Sequence, residues 1–96
     1  MTSTLFESMT LEMRSDLFSA LSDPIRLRIL DELGGCTTCV CDLQQAIDIA
    51  PNLLSYHLRV LRQAGLVLAT RRGRWVDYEL APSAADVVAA ALPFKP

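Results

Sequence analysis

PNLLSYHLRVLRQAGLVLATRRGRWVDYEL, residues 51–80, decides the fold. At roughly 100° per position, Leu54, Leu58 and Leu61 fall on one stripe. The opposite arc carries Asn52, Ser55, Tyr56, Arg59, Arg62 and Gln63 and no acid. That pattern predicts an amphipathic helix over about Asn52 to Ala64, with Pro51 at its start and Gly65 at its end. His57 falls between stripe and arc, the place of a packed or phosphate-facing histidine. Beyond Gly65, Leu66–Thr70 and Trp75–Leu80 flank Arg71-Arg72-Gly73-Arg74. In the second flank Val76, Tyr78 and Leu80 alternate with Trp75, Asp77 and Glu79, as in a half-buried strand. A β-hairpin whose tip carries three arginines is predicted.

The rest of the chain frames this unit. Ser22-Asp23-Pro24 is a helix start, with Asp23 as cap and Pro24 in the first position. Ile25, Leu27, Ile29, Leu30 and Leu33 continue that helix to a stop at Gly34-Gly35. A short third helix is expected over about Val40 to Ile47, and Asp48 to Pro51 form a tight connection. Phe6, Met9, Met13, Leu17 and Leu21 predict a first helix over about residues 4–21. Small apolar residues predict a last one over about 84–92, opened by Pro82-Ser83. The expected fold is mostly α with a β-hairpin wing, a winged helix-turn-helix of order ααααββα. It occupies residues 1–96 as one domain. So short a chain buries little surface alone, so a homodimer through the first and last helices is expected.

The net charge of −2 argues against a nucleic-acid partner, but its distribution argues for one. From Pro51 to Val76 the chain carries Arg59, Arg62, Arg71, Arg72 and Arg74 and no Asp or Glu. Phosphate binding answers to the local basic surface rather than the total. In a helix-turn-helix the second helix enters the major groove. Asn52, Ser55, Tyr56 and Arg59 are therefore assigned to base edges of double-stranded operator DNA. Arg62 shares their face, and the wing arginines are assigned to phosphates or the minor groove. No apolar run reaches the ~18 residues of a membrane span, and no signal-peptide pattern opens the chain. A cytoplasmic protein with no membrane partner is expected.

Cys36, Cys39 and Cys41 lie within six positions and are the only cysteines. An odd number argues against a disulfide framework. Thiolates select soft ions, and three sulfurs suit trivalent arsenic or antimony, whereas structural zinc normally wants four ligands. No organic cofactor is implied. On a regular helix Cys39 and Cys41 would diverge by about 200°. All three sulfurs can meet one ion only where the segment is non-helical or distorted, so ligand capture is expected to pull on the third helix. Cys36-Thr37-Thr38-Cys39 also has the two-residue gap of redox pairs, which keeps a thiol-redox sensor as an alternative. An oxidoreductase would need a βαβ setting that the helical flanks do not give, so no enzyme is expected.

Ser22-Asp23-Pro24-Ile25-Arg26-Leu27-Arg28-Ile29-Leu30, Cys39-Val40-Cys41-Asp42-Leu43, Ser55-Tyr56-His57-Leu58-Arg59-Val60-Leu61 and Ala64-Gly65-Leu66-Val67 resemble the signature segments of the ArsR/SmtB family. These are dimeric, metal-sensing bacterial repressors. The resemblance implies a dimer on an inverted-repeat operator, with half-sites ~34 Å apart. Cys39-Val40-Cys41-Asp42-Leu43 is similar to the box of arsenic-responsive members. Many of those place a third cysteine where this chain has Gln44; here Cys36 precedes the box and is assigned as third ligand. Cadmium- and lead-sensing members, the other alternative, add cysteines from an N-terminal arm, and residues 1–35 contain none. The last helix also lacks the Asp/His pattern of zinc sensors, its only acid being Asp86.

Overall fold

The computed structural model describes residues 9–94. Five helices and three strands follow one another: α1 (Leu11–Leu21), α2 (Pro24–Leu33), β1 (Thr38–Cys39), α3 (Val40–Ala46), α4 (Pro51–Gln63), β2 (Val67–Arg72), β3 (Trp75–Leu80) and α5 (Ala84–Ala91). The helix pattern and the wing are those read from the sequence. Phe6 lies outside the described residues, and the first helix starts later than predicted: Met9 and Thr10 precede it, with Thr10 as its cap. Strand β1 has no counterpart in the sequence pattern.

Helix starts follow local chemistry. The Thr10 side chain accepts from Met13 N at the head of α1. The Asp23 carboxylate accepts from Ile25 N and Arg26 N at 2.8 and 3.1 Å, with Pro24 in the first turn. Helix α2 stops at Gly34 as expected, but not through a left-handed glycine. Gly34 keeps right-handed helical angles, and its N–H closes a tightened turn on Asp31 O. Gly65 does take the left-handed form, at φ 80°. Its N–H donates to Arg62 O while Leu66 N donates to Leu61 O, both at 3.0 Å. That reciprocal pair is a Schellman stop, and it turns the chain from α4 straight into β2.

The core forms where the helices and the sheet meet. Leu54, Leu58 and Leu61 are buried as the stripe predicted, together with Leu17, Ile29, Leu33, Leu43, Ile47, Leu66 and Val67. Fully burying each such side chain contributes about 1.5–3 kcal/mol. Polar ties fix the helices against one another. Arg26 donates to Ala20 O and Ser19 O on α1 and reaches His57 Nδ1 on α4 at 3.0 Å. Arginine has only donors, so His57 Nδ1 accepts. His57 is therefore the packed histidine, 5% exposed, and not a phosphate contact. Arg28 donates to Ala46 O and so braces the end of α3 on α2.

The sheet is antiparallel, in the order β1-β3-β2. Arg72 pairs with Trp75, so the hairpin loop is Gly73-Arg74 alone. Gly73 sits at φ 64° and, among the described residues, no non-glycine residue has positive φ, the pattern of a II′ hairpin turn. This corrects the expected tip: Arg71 and Arg72 belong to β2, and only Arg74 is in the loop.

Candidate DNA interface and cysteine pair

Asn52, Ser55, Tyr56, Arg59 and Arg62 are all exposed, on the side of α4 away from the core. The Arg59 guanidinium stands 5.9 Å from the centre of the Tyr56 ring, which in turn meets His57 edge-on. Tyr56 and Arg59 therefore rest on one another above a histidine locked by Arg26. Such a surface offers hydrogen-bond donors, a ring and positive charge, the groups that read base edges. Sequence reasoning passed over Leu53, 40% exposed in the first turn of α4. Its place three residues before Tyr56 was the available signal.

The wing forms as expected, but its arginines are arranged differently. Successive strand residues face opposite sides of a sheet, so Arg71 and Arg72 diverge. Arg72 Nε and Nη2 donate to the two carboxylate oxygens of Asp77 at 2.8 and 3.1 Å. That fork holds the Asp77 carboxyl below its ordinary range and raises Arg72. The acid-free stretch of sequence ends one residue before Asp77, and the hairpin folds that residue back over the arginines. Arg71 and Arg74 are exposed, as is Trp75 beside the loop.

The cysteines divide two and one. Cys39 precedes α3 with extended backbone, φ −67° and ψ 146°, and Cys41 lies in the first turn. The break in helical geometry removes the divergence a continuous helix would impose. Their Sγ atoms meet at 2.8 Å, both thiols being free. The contact with Cys39 pushes the Cys41 thiol above its ordinary value, as do slight desolvation and the charges of Cys39 and Asp42. Cys36 is exposed in the preceding loop and outside the pair. Among the described residues no three His, Cys, Asp or Glu side chains are grouped to hold a metal ion. The loop is tied back by Thr38 Oγ1, which donates to Cys36 O, and by Thr37 Oγ1, which donates to Glu79.

A groove-sized helix with a polar, basic face, braced by two helices and followed by a short basic hairpin, is a winged helix-turn-helix DNA-binding domain. Residues 23–68 match the bacterial regulatory protein, arsR family. The arsenical resistance operon repressor of Escherichia coli (strain K12) is 46% identical over 69 residues, which span 69% of this chain and 57% of the relative. The SmtB homolog of Synechocystis, a transcriptional repressor, is 45% identical over 67 residues, 70% of this chain and 51% of the relative. The solution structure of a homodimeric winged helix-turn-helix domain from Mycobacterium bovis, a possible ArsR-family regulator, superposes with a TM-score of 0.72 at 30% identity. The match covers 84% of this chain and 73% of that one. The chain belongs to the arsR family of transcriptional regulators, and not to an enzyme family. It spans about half to three-fifths of the curated relatives first matched. No helix among the described residues is long and apolar enough to cross a membrane.

Proposed function

We propose that the protein is a homodimeric repressor that releases its operator when trivalent arsenic or antimony is captured by Cys39, Cys41 and Cys36. The carrying observation is the pair of free sulfurs 2.8 Å apart at the start of the helix that precedes the reading helix. Two soft donors already in register fit a soft, thiophilic ion. Cys36, exposed and three residues upstream, supplies the third sulfur by movement of its loop. Relatives named arsenical resistance operon repressors in Escherichia coli and Bacillus subtilis support the same ligand class.

On DNA, α4 lies in the major groove, with Asn52, Ser55, Tyr56 and Arg59 at base edges, Arg62 on the same face, and Arg71, Arg72 and Arg74 on the backbone or minor groove. The dimer forms through α1 and α5. Leu11 and Met13 leave large apolar surface on α1, the alanines of α5 permit close approach, and the Mycobacterium bovis relative is homodimeric. An inverted repeat with half-sites ~34 Å apart matches that symmetry. Ligand capture draws the start of α3 inward and, through the α3–α4 connection, tilts the reading helix. Gln44, whose side chain donates to Ile49 O in that connection, transmits the movement.

Titrating the DNA-bound protein with arsenite, antimonite, cadmium and zinc tests this. Release by the first two at about one equivalent per protomer is expected, and release by cadmium or zinc alone overturns the assignment. The sulfur–sulfur contact also favours a second reading, in which a peroxide oxidises Cys39 and Cys41 to a disulfide and is reduced to water. A peroxide arm in the same titration separates the two.

A further inference from the structure

Cys39 belongs to two elements at once. It precedes α3, and it is also the last residue of β1, paired with Asp77 of β3. Asp77 in turn pairs with Thr70 of β2, and Arg72 stands two residues beyond Thr70. Paired residues, and residues two apart in a strand, share a sheet face. Cys39, Asp77 and Arg72 therefore lie on one face, spanning all three strands. At the far end, the Arg72 side chain is 65% exposed even while its fork holds Asp77.

We infer that the cysteine pair acts on DNA through the wing as well as through the reading helix, with Asp77 as the positioning residue that links Cys39 to the phosphate-contacting Arg72. This rests on the metalloid-sensor reading above. Closing two sulfurs on one ion displaces Cys39. Strand β1 has only two residues and is hydrogen-bonded along β3, so that displacement passes to Asp77. A bidentate guanidinium–carboxylate pair is geometrically strict. When the carboxylate moves, Arg72 follows it and leaves the DNA backbone. The route needs no movement of α4.

The test uses the full chain on labelled DNA from its own promoter, followed by anisotropy with and without sodium arsenite. Arsenite bound per protomer is measured separately by equilibrium dialysis. Wild type is expected to show a ratio of DNA dissociation constants within the ~5–150-fold usual for linked sites. Asp77→Asn and Asp77→Ala should bind arsenite as before, yet retain less than about a third of that ratio. Their arsenite-free affinity should stay close to that of wild type, because Arg72 keeps its charge and its phosphate. Arg72→Lys, which keeps the charge and loses the fork, approaches the link from the other side and should show the same loss of ratio. An unchanged ratio in all three variants would overturn the wing route and leave the sensor intact. Wild-type protein that binds arsenite and keeps its DNA would sink the sensor reading and this inference with it.

Discussion

Helices α2 and α3 begin in opposite ways. At α2, Asp23 accepts two backbone N–H groups, and Arg26 one turn later fastens that end to both α1 and α4. At α3, the residue in the equivalent place is Cys39, whose side chain makes no capping bond and touches another sulfur instead. A serine or aspartate there would satisfy an orphan N–H. One helix start is committed to holding the domain together. The other leaves its capping position to a group that can take a ligand, and forgoes some stability in doing so.

Exchanging their chemistry sharpens the contrast, and the largest effect falls on function. Cys39→Ser is expected to abolish arsenite-induced release, erasing the ~1–3 kcal/mol coupling typical of linked sites, as measured by anisotropy titration. Arg26→Ala removes donors to two carbonyls and to the buried His57 ring, and should destabilise the fold by about 1–3 kcal/mol in urea unfolding. Asp23→Ala should cost about 1 kcal/mol by the same measurement. Smallest is the stability change in Cys39→Ser itself. The new cap should add a few tenths to about 1 kcal/mol, so the variant that loses the response should be the more stable protein. Equal or lower stability would break the comparison.

The Asp23 contribution also carries a pH signature. The Arg26 and Ile25 N–H groups and the Arg26 charge hold its carboxyl below the ordinary 3.8, against a smaller opposing effect of burial. A depressed carboxyl stabilises the fold fully above its unfolded value, and the contribution fades as pH falls through the folded one. The gap between wild type and Asp23→Ala should therefore be complete at neutral pH and close in acid, below about pH 4. A gap that persists there would mean that the aspartate acts through packing.

What the sequence disclosed was what neighbours in the chain determine. The stripe of Leu54, Leu58 and Leu61, the Asp23-Pro24 start and the stop at Gly65 all depend on residues within one or two turns, and each stands where the pattern placed it. Hidden features arise from partners distant in sequence. Strand β1 is two residues long and exists because β3 offers it an edge. Arg72 looked like an unopposed cation until the hairpin register laid Asp77 beside it. The cysteines were legible in part: spacing alone said that the sulfurs diverge unless the helix is interrupted, and it is interrupted between Val40 and the extended Cys39. The place of Cys36, set by a loop tied to β3 through Thr37 and Glu79, had no local signature.

The left-handed turn at Gly65 has a consequence for how the molecule measures DNA. A single residue separates it from β2, and Ala81 N closes the base of the hairpin by donating to Leu66 O. In the DNA complex proposed above, α4 and the wing would act as two jaws of one caliper, with a hinge too short to open. Each half-site should be gauged at a fixed span, and one residue inserted after Leu66 would mis-set the instrument without touching either jaw.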